Sequence, residues 1–381
     1  MDTIIQLSGF GDTVLGYILP FLFVLTVVVF VHELGHFVVA RWCGVAVKTF
    51  SIGFGPEIAG FTDRHGTRWR LSWIPLGGYV KFIDDENVAS ASGSKGLEQL
   101  SPEDRKRSFQ GKSLGRRAAV VAAGPIANFI LAILIFTAIF ALFGERITAA
   151  KVDIVNPGSA AERAGFLPGD RVISIDGQVI RSFSEMQRIV GTSPDQPLHF
   201  VVDRDGQSVD ITATPERKEI TDHFGNTIRL GLLGIQRSAS PEDWTLKRHD
   251  PLTAFGMALK ECYFVVSRSL GYLYDVVTGR ESADQLGGPI RIAQVSGQVA
   301  TAGFVALLNL AAIISVSIGL LNLFPIPMLD GGHLLFYSIE AIRGRPLSES
   351  TQEIGFRIGL AFVLMLMIFA TWNDLIHLKF L

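Results

Sequence analysis

Charged side chains and cysteines are scarce in this chain. Of its 381 residues only 18% are charged, while 48% are hydrophobic, a balance that is unusual for a soluble globular domain. The formal net charge of −2 gives no indication of a basic surface, so we expect no nucleic-acid partner. There are two cysteines, Cys43 and Cys262, and no histidine-rich tract. The composition therefore indicates a chain that exposes much of its apolar surface to lipid.

The apolar residues are concentrated in four long runs. A hydrocarbon core of about 30 Å takes roughly 20 helical residues, and each run is long enough to cross it. No Lys or Arg precedes the first run, and it is longer than the apolar part of a signal peptide, so we expect it to be retained. The sequence therefore predicts a multi-spanning α-helical protein of the lipid bilayer with four transmembrane helices. The runs are 13–37, 118–143, 303–324 and 354–376.

Lys and Arg are absent from residues 1–40 and frequent in residues 41–117. Because positively charged loops stay in the cytosol, residues 41–117 are expected there, together with the loop that carries Arg343 and Arg345. Both termini and residues 144–300 would then lie outside the cytosol. The two cysteines would be separated by the membrane, so no structural disulfide is expected. The layout is that of a multi-pass protein of the cell inner membrane.

The segments between the apolar runs differ in pattern. Residues 48–83 alternate apolar and polar side chains around a turn at 63–66, which predicts a β-hairpin loop. The apolar residues within 74–82 suggest that this loop enters the membrane-buried interior of the protein. Residues 147–215 predict one small external α+β domain with helices capped at Ser159 and Ser184.

Two further segments connect these parts. Residues 84–117 have the composition of a solvated linker. Residues 254–277 are apolar but contain Lys260, Glu261 and Arg268, which predicts an amphipathic helix on the outer membrane face. The predicted order is therefore first span 1–47, β-loop 48–83, linker 84–117, second span 118–144, α+β domain 147–215, external region 216–300, third span 301–333, cytosolic loop 334–353 and fourth span 354–381.

His32, Glu33 and His36 form the pattern H-E-x-x-H at the end of the first apolar run. In a helix the two histidines share one face and can bind one Zn²⁺ ion, while the glutamate accepts a proton from the attacking water. A chance match on a solvated helix is the alternative. Ionisable side chains in an apolar run are costly to desolvate, however, which favours a functional site. The pattern predicts zinc-dependent peptide hydrolysis with Glu33 as the catalytic base.

A third metal ligand is expected in the motif from Asn322 to His333, which closes the third apolar run. The first and third spans run in the same direction, and both polar motifs follow their apolar runs, so both fall toward the cytosolic side. Asp330 is the predicted third ligand. His333 is either a competing ligand or a neighbour of the metal ligands, since imidazole binds Zn²⁺ as readily as carboxylate. Pro325 and its neighbours would break the helix, which suits a cavity or a binding site.

Together these motifs resemble the site-2 protease family of intramembrane zinc metalloproteases, particularly its bacterial RseP-like branch. The resemblance rests on H-E-L-G-H at 32–36 and N-L-F-P-I-P-M-L-D-G-G-H at 322–333. It extends over most of the chain. The other matching segments are G-F-G-P at 53–56, P-L-G-G-Y-V-K-F at 75–82, A-G-P-I-A-N-F at 123–129, a PDZ-like stretch at 158–177 and L-G-G-P-I-R-I-A at 286–293.

The resemblance implies zinc on His32, His36 and Asp330, with Glu33 as base. It implies that residues 53–82 form a membrane-reentrant β-loop, whose edge strand could pair with an unwound substrate segment. One PDZ-like domain is expected, where the best-known enterobacterial member has two. The family's substrates are transmembrane proteins, including anti-sigma factors, and leftover signal peptides. We expect single-pass substrates for this chain. The sequence does not indicate its oligomeric state. The candidate substrate-binding residues are Asn322, Pro325, Gly53, Gly77, Gly78 and Asn128.

Two other classes of protein were weighed against the protease. A metal transporter also places histidine and glutamate in membrane helices, but four spans are few for one. A non-catalytic membrane adaptor could bind protein tails through the PDZ-like domain and bind zinc only for structural stability. A structural zinc site has four protein ligands and no open position for water, however, so Glu33 would have no role there. Asn128 is expected either to pack against a neighbouring helix or to contact substrate. Asp374 is expected to be an ordinary interfacial residue.

Overall fold

The computed structural model describes residues 2–85, 100–221, 227–237, 245–280, 282–283 and 286–377. Residues 86–99, which belong to the predicted linker 84–117, lie outside the described residues. The chain divides into a helical unit, Met1–Ala138 with Ala254–Leu381, and an α+β unit, Ile139–Thr253. The helices are α1 Asp2–Trp42, α2 Pro102–Arg107, α3 Leu114–Ala138, α4 Ala160–Ala164, α5 Phe183–Gly191, α6 Pro251–Val277, α7 Pro289–Thr301, α8 Phe304–Asn322, α9 Asp330–Arg343 and α10 Glu349–His377. The strands are β1 Val47–Thr62, β2 Arg68–Phe82, β3 Glu145–Ile147, β4 Ile154–Val155, β5 Arg171–Ile175, β6 Gln178–Val179, β7 Leu198–Arg204, β8 Gln207–Ala213, β9 Glu216–Thr221, β10 Thr227–Leu232, β11 Ile235–Gln236 and β12 Thr245–Lys247.

Within the described residues, four helices are long and apolar enough to cross a membrane, as the four apolar runs predict. α6 does not meet the same criteria, and it carries the charged side chains that led us to expect no fifth span there. A π-helical turn, Ile139–Phe143, continues α3. The candidate spans are Leu15–Trp42, Leu114–Phe143, Phe304–Asn322 and Glu349–Ile376.

Small residues bring α1, α3 and α8 close together. A Cβ atom on Gly35 of α1 would lie 2.4 Å from the Ala123 carbonyl oxygen of α3. Ser315 of α8 donates a hydrogen bond of 2.8 Å to the Asn128 carbonyl oxygen of α3. Interhelical hydrogen bonds and small residues at contacts are typical of helix packing in lipid. These contacts place the H-E-x-x-H face of α1 directly against α3.

β1 and β2 form a bent antiparallel sheet that follows the first span. Residues 49–52 of β1 pair with residues 78–81 of β2 on one side and with residues 68–71 on the other, while residues 57–62 pair with 68–72. Residues 78–82 therefore form an outer edge of this sheet. Phe50 is 1% exposed, and its ring lies 5.6 Å from that of Phe37, which anchors the sheet to α1. The predicted hairpin is present, with more strand pairing than the sequence indicated.

The chain turns back on itself between α8 and α9. A Cβ atom on Gly331 would lie 2.2 Å from the Phe324 carbonyl oxygen, so only glycine fits there. Met328 has a positive φ of 87°, which is unusual for a residue other than glycine. The stretch 334–353, predicted to be the loop between the third and fourth spans, is helical for most of its length. α9 runs through Arg343 and α10 begins at Glu349, because residues 330–343 continue with a helical apolar pattern after the break.

The α+β unit is built around the sheet order β6-β5-β7-β8. Its core includes Val152, Phe200 and Val202, none of them measurably exposed. The predicted cap at Ser159 is confirmed: its side chain accepts from the Glu162 backbone N–H. The predicted cap at Ser184 is wrong by two residues, because Ser182 accepts from the Glu185 N–H. The unit also extends beyond 147–215, since β3 pairs with β12, β4 with β11 and β9 with β10.

Asp374, near the end of α10, is not an ordinary interfacial residue. Its side chain is buried at 2% exposure and accepts hydrogen bonds from the backbone N–H groups of Gly288, Ile290 and Arg291, at 2.8 to 3.1 Å. These groups begin α7, whose first residues have no partner within the helix. Asp374 therefore caps α7 from another helix.

Candidate metal centre

Three metal-binding side chains meet in the helical unit from two helices that are distant in sequence. His32 and His36 lie one turn apart on α1, and Asp330 is the first residue of α9. The two imidazole Nε2 atoms are 3.2 Å apart. Asp330 Oδ2 is 3.2 Å from His32 Nε2 and 3.5 Å from His36 Nε2. Two histidines and an aspartate are a ligand set that Zn²⁺ accepts, with a position left open for water.

The atoms that face one another at this point are suited to a cation. His36 Nδ1 is 2.8 Å from the Val120 carbonyl oxygen, so Nδ1 carries the proton and Nε2 presents a lone pair. Asp330 Oδ2 is buried and has no hydrogen-bond partner among the described residues, in spite of its short distances to the imidazoles. An unpartnered buried carboxylate oxygen is costly unless a positive charge compensates it. The residues therefore fit a metal ion.

Asn128 of α3 lies against the other ring nitrogen of His32. Its side chain is fully buried, with Nδ2 placed 3.2 Å from His32 Nδ1. Asn128 Oδ1 is buried and has no partner in the described part of the chain. Of the two roles expected for Asn128, the structure shows contact with neighbouring helices.

Glu33 opens onto a cavity of about 400 Å³ that Asp330 and His36 also line. The Val80 backbone N–H donates to the Glu33 carboxylate, which ties this side chain to β2. Because the carboxylate and the metal-binding side chains share one cavity, a water molecule there could contact both. This is the arrangement that general-base activation of water requires.

His333 lines the cavity without joining the ligand cluster. The atoms of His32, His36 and Asp330 that could bind one metal lie within 4.8 Å of one another, and among the described residues this group does not include His333. Its ring lies 5.2 Å from that of Phe356 and 6.5 Å from that of Tyr337. The structure thus favours His333 as a neighbour of the ligands over a competing ligand.

Gly124 of α3 faces both imidazoles, a position that was not predicted from the sequence. A Cβ atom at this position would lie 2.3 Å from His36 Nε2 and 2.9 Å from His32 Cε1. Both distances are shorter than van der Waals contact. Only glycine therefore allows α3 to pack so close to the metal-binding face of α1.

None of the six residues predicted to bind substrate lines the cavity. Gly78 is the nearest to the base: a Cβ atom there would lie 3.0 Å from Glu33 Cγ. Gly53 and Gly77 have φ of 85° and 121°, so the bends of β1 and β2 account for these glycines. Asn322 ends α8, and Pro325 is exposed in the turn that follows.

A polar cluster that lines the same cavity was also not predicted from the sequence. Arg117 pairs with Glu340 at 2.5 Å and lies over the Tyr337 ring, 4.9 Å from its centre. All three line the cavity. Burial raises the pKa of the Tyr337 phenol to about 12, so it stays protonated at neutral pH. The spacing of His333, Tyr337 and Glu340 on one helix face was the available signal, but it was hidden because 334–353 was expected to be a loop.

Comparison with known proteins agrees with this geometry. The chain matches Peptidase family M50 over residues 20–366, a range that contains all three candidate ligands and Glu33. A protein of Agrobacterium fabrum named as a zinc metalloprotease is 51% identical over 375 residues, which cover 98% of this chain and 99% of the relative. Metalloprotease MmpA of Caulobacter vibrioides is 41% identical over 376 residues, or 93% of this chain and 94% of MmpA. Regulator of sigma-E protease RseP of Salmonella typhimurium is 30% identical over 459 aligned positions, or 95% of this chain and 99% of RseP.

The family match and these relatives confirm the enzyme class and the metal that the sequence predicts. The metalloprotease interpretation is thereby preferred over the transporter and the adaptor. On this evidence the chain belongs to peptidase family M50, the site-2 protease family, and is a zinc metalloprotease.

Proposed function

We propose that this metalloprotease hydrolyses peptide bonds within the transmembrane segments of other proteins. The observation that carries the proposal is the position of His32, Glu33 and His36 inside Leu15–Trp42, a helix apolar enough to span a membrane. A protease that cuts soluble substrates has no need to desolvate its ionisable residues in this way. We infer that single-pass proteins, such as anti-sigma factors, and signal-peptide remnants are the substrates.

The proposed site consists of His32, His36 and Asp330 as zinc ligands and Glu33 as base. When bound, zinc supplies the Lewis acidity that activates water and polarises the scissile carbonyl. Glu33 accepts the proton of the attacking water and can pass it to the amide nitrogen that leaves. The Val80 N–H holds the Glu33 carboxylate in place for both transfers.

We propose that the outer edge of β2 receives the substrate backbone. A helical segment hides its carbonyl groups, so cleavage requires an extended stretch. Residues 78–82 pair with β1 on one side only, and Gly78 and Val80 both approach Glu33. An unwound substrate segment could therefore add as a further strand next to the base. Substrates with helix-weakening residues near the cleaved bond are expected to be preferred.

The α+β unit is proposed to be PDZ-like and to lie outside the cytosol. Its antiparallel sheet and two capped helices are compatible with the PDZ-like stretch at 158–177. The absence of Lys and Arg from residues 1–40 and their abundance after Arg41 support a cytosolic side for the metal centre. The relative RseP and the four apolar helices support a bacterial inner-membrane location.

The decisive experiment measures cleavage of a tagged single-pass substrate by the purified full-length chain, together with its zinc content. Glu33→Gln should lower the cleavage rate by about 10²- to 10⁴-fold and keep zinc, because the amide cannot accept a proton but is not a ligand. Asp330→Ala should lose both cleavage and zinc.

A second substrate separates the proposal from general proteolysis. The same apolar segment is offered once within a membrane protein and once as a soluble, unstructured peptide. Cleavage confined to the soluble peptide would refute the intramembrane substrate class, and undiminished cleavage by Glu33→Gln would refute the assigned base.

A further inference from the structure

Asn128 touches neither the cavity nor the base, yet it contacts a metal-binding imidazole. We infer that Asn128 is a positioning residue for the zinc centre, whose side-chain oxygen accepts a hydrogen bond from His32 Nδ1–H. It would thereby hold His32 in the tautomer that presents Nε2 to the metal. This inference concerns the zinc centre of the enzyme and is independent of which substrate is cut.

The position of His32 Nε2 indicates which tautomer this imidazole adopts. Its Nε2 atom points toward Asp330 Oδ2 and His36 Nε2, at 3.2 Å from each. An imidazole that binds a cation through Nε2 carries its proton on Nδ1, and that N–H normally has a partner which fixes the ring. For His36 the partner is the Val120 carbonyl oxygen at 2.8 Å. For His32 the group at Nδ1 is the Asn128 carboxamide at 3.2 Å.

The orientation of the Asn128 carboxamide decides whether a donor or an acceptor faces His32 Nδ1. As placed, the NH₂ group faces His32 Nδ1, so two donors would meet once Nδ1 is protonated. The oxygen, meanwhile, is buried without a partner in the described residues. Nitrogen and oxygen of an amide are assigned from their hydrogen bonds, not from their shape. Exchanging them gives the buried oxygen a donor and gives Nδ1–H an acceptor.

Asn128 is itself held firmly by its neighbours. Its side chain is fully buried between α1 and α8. The Ser315 hydroxyl donates to its backbone carbonyl oxygen at 2.8 Å, and a Cβ atom on Gly319 would come within 3.2 Å of the Asn128 Cβ atom. A rigid acceptor costs little entropy to keep in place, which makes it effective in orienting an imidazole.

The test compares Asn128→Asp with Asn128→Leu in the purified full-length protein. Asp has similar volume and can only accept at this position, whereas Leu removes the polar group. Zinc affinity is measured by competition with a chelator, and a metal-free thermal unfolding curve shows whether each variant folds. Asn128→Leu should weaken zinc binding by about 10- to 100-fold. Asn128→Asp should bind zinc at least as tightly as the wild type.

Ser317→Ala, also on α8, is the matched control, because the Ser317 hydroxyl donates to the Ile313 carbonyl oxygen and not to Asn128. It should keep wild-type zinc affinity. The inference is overturned if Asn128→Asp folds and loses zinc, since the position would then need a donor. It is also overturned if Asn128→Leu folds and keeps wild-type affinity, or if Ser317→Ala weakens zinc binding as much as Asn128→Leu does. If Asn128→Leu does not fold, Asn128→Asp alone decides between the outcomes.

Discussion

At the scale of single residues, the metal centre depends on the absence of a side chain at Gly124. Gly124→Ala would place a methyl group 2.3 Å from His36 Nε2. Either the imidazole or the α1–α3 contact must then shift, because overpacking of this kind costs about 1–3 kcal/mol. We expect zinc affinity to fall by about tenfold or more, measured by chelator competition.

Gly115 of the same helix provides the control for this substitution. A Cβ atom there would meet nothing within 4 Å, so Gly115→Ala should leave zinc binding unchanged. Alanine is also the better helix former, which favours a small gain in stability. Wild-type zinc affinity in Gly124→Ala would show that the helices separate at no cost to the site.

At the scale of secondary-structure elements, α7 depends on a cap supplied by α10. Asp374→Ala removes an acceptor that serves the backbone N–H groups of Gly288, Ile290 and Arg291. It also removes the negative charge near the positive end of the α7 dipole. We expect the free energy of unfolding to fall by about 2–4 kcal/mol, seen as a lower midpoint of thermal unfolding in detergent.

Asp374→Asn should lie between Asp374→Ala and the wild type, because the amide keeps one acceptor oxygen but carries no charge. Zinc affinity should be unaffected in both variants, since Asp374 is not among the ligands. An unchanged unfolding midpoint in Asp374→Ala would mean that the α7 cap does not contribute to stability.

At the scale of the whole molecule, the charge asymmetry of the sequence predicts which parts face the cytosol. The test uses full-length protein with Cys43 and Cys262 replaced by alanine and a single new cysteine, Gln207→Cys or Arg345→Cys. Both positions are exposed in the structure. In intact spheroplasts a membrane-impermeant thiol reagent should label Gln207→Cys, while Arg345→Cys should react only after permeabilisation.

The reverse labelling pattern would contradict the proposed orientation and place the metal centre nearer the outer side. Equal labelling of both positions before permeabilisation would contradict it as well, because an odd number of spans must separate them. Retained zinc content in each variant is the control for correct folding.

The sequence alone was sufficient for the class of protein and for predicting which three side chains meet at the candidate metal centre. Four runs of apolar residues predict the spans because the bilayer sets a minimum length for a helix that crosses it. His32, Glu33 and His36 are local in sequence, so helical spacing alone predicts their shared face. Asp330 could be predicted because parallel spans place both polar motifs at the same depth.

Tertiary structure decided what depends on contacts between distant segments. The roles of Gly124, Asn128 and Arg117 could not be assigned from the sequence, because they come from the close packing of α3 on α1 and α9. Residues 334–353 were expected to be the loop between the third and fourth spans, so the helix that continues to Arg343 was not predicted. Asp374 looked interfacial because the N–H groups that it caps lie about 85 residues earlier in the chain. Helical periodicity and hydropathy are local and can be read from the chain, whereas close approach between helices is a property of the assembled fold.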